Sequence, residues 1–106
     1  MTTDTKELLT YAAKVAGIDR LQVADHGYIA WVGGTPKNWN PATDDGDSAR
    51  LRTALEISVN WFDDVVECSN DDTLVIELYA DHSGDKNAAL RRATLRLAAE
   101  IGRRMK

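Results

Sequence analysis

Asp44, Asp45 and Asp47 crowd three carboxylates into four positions, and carboxylate oxygens are the ligands that Mg²⁺ and Ca²⁺ take. With a histidine nearby, such a cluster would suit metal-dependent hydrolysis. The run departs from a calcium-binding loop, because two residues past Asp47 stands Ala49, followed by Arg50 rather than glycine. Asp-Asp-Gly-Asp also has a simpler use, capping the start of a helix and making the turn before it. Capping is the expectation here, with a hydrolase built on Asp44, Asp45 and Asp47 as the enzymatic alternative.

Cys68 with His26 or His82 has the residue types of a nucleophile and its base. Yet Val65-Val66-Glu67-Cys68 reads as a strand, where a cysteine is inert packing. The histidines of Asp25-His26 and Asp81-His82 are too small a set for zinc, and both dipeptides read as turns. Trp39 and Asn40 are candidates of another kind. A large aromatic in a polar loop either pins the loop to the core or meets a partner, and Asn40-Pro41 stiffens the chain after it. Finally, Arg92, Arg96 and Arg103 lie on one side of a helical stretch and offer a basic face to phosphates.

These residues need elements to hold them. Asp4 and Glu7 have capping-box spacing, and Leu8, Tyr11, Ala12, Val15 and Ala16 recur at helical spacing up to the stop at Gly17. A first helix is therefore expected over 4–16. Strands are expected over 21–24 and 28–32, joined through Asp25-His26-Gly27. Residues 33–46 read as one long loop rich in Gly, Pro, Asn and Asp, a length that is often functional. A second helix is expected over 47–58, with Leu51, Ala54, Leu55 and Ser58 on one face. A second hairpin follows over 65–80, turning at Ser69-Asn70-Asp71-Asp72. A third helix is expected over 85–104, its core stripe Leu90, Ala93, Leu97, Ala98 and Ile101. Strands 28–32 and 74–80 are nearly continuous in apolar residues, which predicts cover on both faces. The order αββαββα then gives an α+β helix/sheet/helix sandwich around one four-stranded, mainly antiparallel sheet.

The chain has 106 residues, the size of one domain. Its single cysteine forbids an internal disulfide and suits a reducing compartment. No apolar run reaches the ~18–20 residues of a membrane span, and the start Met1-Thr2-Thr3-Asp4 is unlike a signal peptide. The net charge of −4 is unevenly spread. Residues 1–85 hold six Lys and Arg against sixteen Asp and Glu, whereas 86–106 hold seven against Glu100 alone. The basic end either folds back on the acidic body or faces a partner. Nucleic acid is not the expected partner, because the acidic body would repel it and no aromatics are interleaved with the arginines.

The stretch Trp39-Asn40-Pro41-Ala42-Thr43-Asp44-Asp45-Gly46-Asp47 resembles the signature of a family of small bacteriophage proteins, the phage ABA sandwich domain. The flanks Ala16-Gly17-Ile18, Ala88-Ala89-Leu90-Arg91-Arg92-Ala93 and Ala98-Ala99-Glu100-Ile101-Gly102 agree with it. The resemblance implies an α/β/α sandwich, a phage or prophage origin and action in the host cytoplasm. It supplies no catalytic residue and no cofactor. The functional expectation is thus a non-enzymatic binding protein that engages a protein partner through the 33–47 loop, with Trp39, Asn40, Asp44, Asp45 and Asp47 at the contact. The alternatives are the metal-dependent hydrolase and nucleic-acid binding through the basic C-terminal helix.

Overall fold

The computed structural model describes residues 5–24 and 27–105. Asp4 of the expected capping box and the turn residues Asp25 and His26 lie outside the described residues. The elements are α1 (Thr5–Val15), β1 (Arg20–Ala24), β2 (Gly27–Val32), β3 (Thr35–Asn38), α2 (Asp45–Ala54), β4 (Ser58–Trp61), β5 (Val65–Ser69), β6 (Leu74–Leu78), a 3₁₀ turn (Tyr79–His82) and α3 (Lys86–Arg104). The fold is α+β, but the sheet is not single. Two antiparallel three-stranded meanders form, β1-β2-β3 and β4-β5-β6, each followed by a helix.

Two strands lie where no strand was expected. β3 falls inside the expected 33–46 loop. Gly33 and Gly34 both take positive φ, 58° and 82°, which makes a two-residue hairpin turn rather than a strand end. Trp39 N–H donates to the Tyr28 carbonyl, and that bond fixes the ladder's alternation. Pro36, opposite Trp31, then sits where its missing N–H would face outward, a place an edge strand tolerates. β4 begins at Ser58, the last residue of the expected second helix, and runs on through residues where no element was expected. α2 stops at Ala54 because Glu56 enters the left-handed region at φ 53° and Ile57 N–H bonds back to the Arg52 carbonyl. This is a glycine-type helix stop with a glutamate in the glycine's place. The α1 stop is the ordinary version, with Gly17 at φ 75° and Ile18 N–H on the Ala13 carbonyl.

The layers also invert the expected sandwich. α3 is buried on two sides, not along one stripe. Leu95, Ala98 and Ala99 join Leu8, Leu9, Ala12, Ala13, Leu51 and Ala30 in one core cluster, against which Leu21 and Tyr28 pack. Ala89, Ala93 and Leu97 join Val66, Cys68, Val75 and Tyr79 in a second. The helices thus lie between two sheets, and each sheet has one face packed and one face open. Leu74, Ile76 and Leu78 remain about half exposed, at 55%, 47% and 46%. The near-continuous apolar character of β6 therefore does not reflect burial on both faces.

Small residues let α3 serve both cores. At Gly102 an added Cβ would run into the Tyr11 carbonyl oxygen of α1 and lie 3.1 Å from Val15 Cγ2. Gly102→Ala is expected to force α1 and α3 apart and cost about 1–3 kcal/mol, despite alanine's better helix propensity. Urea denaturation checks it, and an unchanged or raised midpoint would contradict the close approach.

Candidate functional site

The Trp39–Asp47 segment is a closed knot of internal bonds. Trp39 is 6% exposed and belongs to the first core cluster, so it pins the segment as expected of a loop tryptophan that is not a free contact. Asp44 is the N-cap of α2, its Oδ2 accepting from Asp47 N–H at 2.8 Å. Asp47 is itself buried. Its Oδ2 accepts from Asn40 N–H at 2.9 Å and its Oδ1 from Arg50 Nη2 at 2.6 Å. Asn40 Oδ1 accepts from Ala42 N–H at 3.1 Å, an Asx turn. Arg91 of α3 then clasps the segment from outside. Its Nε donates to the Ala42 carbonyl at 3.1 Å and its Nη1 to Asp45 Oδ1 at 2.6 Å. Each of the three aspartates therefore has a partner within the chain, and among the described residues no three Asp, Glu, His or Cys side chains are grouped to hold a metal ion.

Cys68 is fully buried in β5. Its neighbour is not a histidine but Thr94 Oγ1, 3.9 Å away. His82 bonds Glu77 Oε1 at 2.9 Å instead, and His26 lies outside the described residues. Thr94 also accepts from Arg52 Nη1, which donates to Ser48 Oγ as well, so α2, α3 and β5 meet in one polar junction. Burial lowers the Arg52 pKa, opposed by Cys68 and Asp45. Burial likewise pushes the Cys68 thiol up, opposed by the Thr94 bond and the Arg52 charge. Neither shift activates a nucleophile.

The basic end of the chain does fold back on the body. Arg96 pairs with Glu77 at 2.6 Å, Arg91 with Asp45, and Arg103 with Glu100 at 3.0 Å and Glu7 at 3.8 Å. Arg92 donates to Thr5 Oγ1. Arg92, Arg96 and Arg103 thus do share a region, but with carboxylates interleaved among them. They line one wall of an open groove of about 540 Å³, with Glu100 and Arg104; the other wall is Thr73 with Leu74, Val75 and Glu77 of β6.

That groove runs beside a strand edge that no further strand covers among the described residues. Among the described residues β6 pairs only with β5. Asn70 N–H bonds the Thr73 carbonyl and Tyr79 N–H bonds the Asp64 carbonyl. By the alternation of antiparallel ladders, Thr73, Val75, Glu77 and Tyr79 turn their backbone groups toward β5, and Leu74 and Ile76 turn theirs to the open edge. The bond from Arg96 Nη1 to the Ile76 carbonyl, 3.1 Å, agrees. On the sheet's outer face, Phe62 N–H on the Val65 carbonyl extends the register, lining up Phe62, Val65 and Leu78 in one row. Phe62, Leu74, Ile76 and Leu78 are each near half exposed. Sequence reading missed this edge because it took the apolar strand for a buried one. No protein-family model, curated protein or solved structure matches the chain.

Two outcomes follow from these contacts. Trp39→Ala should cost about 3–5 kcal/mol and remove hydrogen-exchange protection from the Asn40, Ala42 and Asp47 amides; unchanged protection would contradict the pinned segment. Cys68 adds a pH term. The folded chain keeps the thiol proton to a higher pH than the unfolded chain, whose value is the ordinary 9.0. The associated stability is complete below that pH and is lost as pH rises through the folded value. Between pH 7 and 10 the wild-type urea midpoint should fall more steeply than that of Cys68→Ala, and parallel curves would contradict a protonated buried thiol.

Proposed function

We propose that this chain is a non-enzymatic protein-binding module that takes an extended segment of its partner along the open edge of β6. The observation that carries the reading is the contrast among the four sheet edges. β1 carries Arg20, whose guanidinium stacks 4.7 Å over the Trp31 ring. β3 is four residues long and contains Pro36 and Lys37. β4 is also four residues, with Ser58 and Asn60. Short length, proline and charge are the usual means of blocking strand addition. β6 has no proline and Glu77 is its one charged residue; it presents Leu74 and Ile76 backbone groups outward, with Arg96 on the Ile76 carbonyl, and has a groove beside it. Main-chain bonding along such an edge is a recurrent mode of peptide recognition.

In this reading the Trp39–Asp47 segment is a clasp that fixes α2 to α3, and the partner surface lies at β6 rather than at the 33–47 loop. What supports a binding role over hydrolysis is that Asp44, Asp45 and Asp47 are engaged in capping and ion pairs. A phage origin with action in a host cytoplasm belongs to the same proposal and is supported by the resemblance of Trp39–Asp47 alone. The test is selection from a displayed library of random linear peptides. Wild type should enrich strand-forming sequences, and Ile76→Pro should lose them while keeping its circular dichroism spectrum, because the Ile76 N–H faces away from β5. Ile76→Lys serves as a second edge block should the proline variant unfold. Enrichment that survives the edge block would sink the proposal.

A further inference from the structure

The groove geometry points to an acidic partner segment, with carboxylates two alternations apart, a conclusion that rests on the β6-edge reading above. α3 runs antiparallel to β6 along the groove. Arg96 reaches Glu77 and Arg104 Nη1 reaches Thr73 Oγ1 at 2.9 Å. From residue 96 to 104 a helix rises about 12 Å, and from residue 73 to 77 a strand rises about 13–14 Å. The two elements are therefore matched in length, and an arginine stands near each end of the β6 edge.

A strand added to β6 would alternate its side chains across this frame. One set would turn to the side of Thr73, Val75 and Glu77, where the α3 arginines are. The other set would lie beside Leu74, Ile76 and Leu78 on the outer face, next to half-exposed aliphatic surface. The complementary segment carries a carboxylate at positions i and i+4 and apolar residues at i+1 and i+3. Arg96, Arg103 and Arg104 are roughly half exposed, at 44%, 42% and 54%; Arg103 and Arg104 pair with the partly exposed Glu100, whereas Glu77, the partner of Arg96, is only 11% exposed. The Glu100 pairs are worth about 0–1 kcal/mol, so an incoming carboxylate can exchange with them, while Arg96 keeps Glu77 and meets a carboxylate with the exposed part of its guanidinium. Arg96 also holds the Ile76 carbonyl, an edge acceptor that an incoming N–H would take over.

Two other occupants fit less well. A second copy of this chain pairing through its own β6 would bring only Glu77 toward the arginines, a carboxylate already held by Arg96. A nucleic acid has no main chain to pair with the open edge.

Fluorescence anisotropy with labelled nine-residue peptides tests the inference. The probes carry Glu at i and i+4 with valines between, the same with Gln, the same with Lys, and a single-stranded DNA of ten nucleotides. The Glu peptide should bind at least ten-fold tighter than the Gln peptide at low salt, with the gap shrinking as salt rises, and the Lys peptide should not bind. Arg104→Glu should erase the Glu preference while leaving the Gln peptide's affinity unchanged, and Ile76→Lys should abolish both. Equal Glu and Gln affinities, both lost in Ile76→Lys, would overturn the acidic inference and leave the edge reading standing. No binding of any peptide up to millimolar concentration would overturn both. DNA binding lost in Arg104→Glu but kept in Ile76→Lys would assign the groove to nucleic acid instead. A concentration-dependent dimer in sedimentation, lost in Ile76→Lys, would assign the edge to a second copy.

Discussion

The contact between α1 and α3 at Tyr11 and Gly102 is the constraint from which the rest of this molecule follows. A chain of 106 residues does not have enough apolar surface to build two independent cores. It solves this by making α3 the inner wall of both. Ala89, Ala93, Ala98, Ala99 and Gly102 keep the helix thin, so α1 can approach closely on one side and β5 and β6 on the other. Larger residues at these positions would push one sheet away. Burying α3 on two sides in turn leaves nothing to cover the outer face of either sheet, and so the exposed aliphatics of β6 are a consequence of how the core is shared.

Polar groups then set the positions of the remaining elements. α2 carries little apolar surface, with Leu51 its one buried apolar side chain, so packing alone holds it weakly. Arg52 anchors it to Thr94 of α3, and Arg91 reaches back from α3 to the Ala42 carbonyl and Asp45. Taking a guanidinium partly out of water is costly unless its donors are matched. Here Ser48 and Thr94 both accept from Arg52 Nη1, and among the described residues no buried side-chain nitrogen or oxygen lacks a partner. The aspartates that look chemical in the sequence are the acceptors in this arrangement.

The same sharing of charge explains why the basic helix is not a bare cationic stripe. Arg103 and Arg104 find Glu7 and Glu100 at the surface, pairs weak enough to rearrange, and Arg96 holds the mostly buried Glu77. The groove is lined by Arg92, Arg96, Arg103 and Arg104 against Glu77 and Glu100, so its cationic charge is only partly offset. In the proposed reading, a strand edge whose Leu74 and Ile76 groups face outward beside these arginines would recognise both extension and negative charge, which a cationic surface alone does not.

Local chemistry was legible wherever one residue decides it. Asp85 starts α3, Gly17 ends α1, Asn70, Asp71 and Asp72 turn β5 into β6, though Ser69, read as part of that turn, closes β5, and the Trp39 ring goes to the core. The α+β class and the capping use of Asp44 were legible in the same way. The failures share one cause. The end of α2 carried no visible signal because Glu56 holds the left-handed position that a glycine would have marked, and β4 was lost with it. β3 was hidden by a Pro36 that is harmless only because its strand is an edge. The largest error concerned burial. An apolar strand reads the same whether a helix covers it or not, since pattern reports what a surface prefers and not what is left to cover it. Only the tertiary structure decided that α3 would be spent between the sheets, and that decision left β6 open and set the arginines beside it.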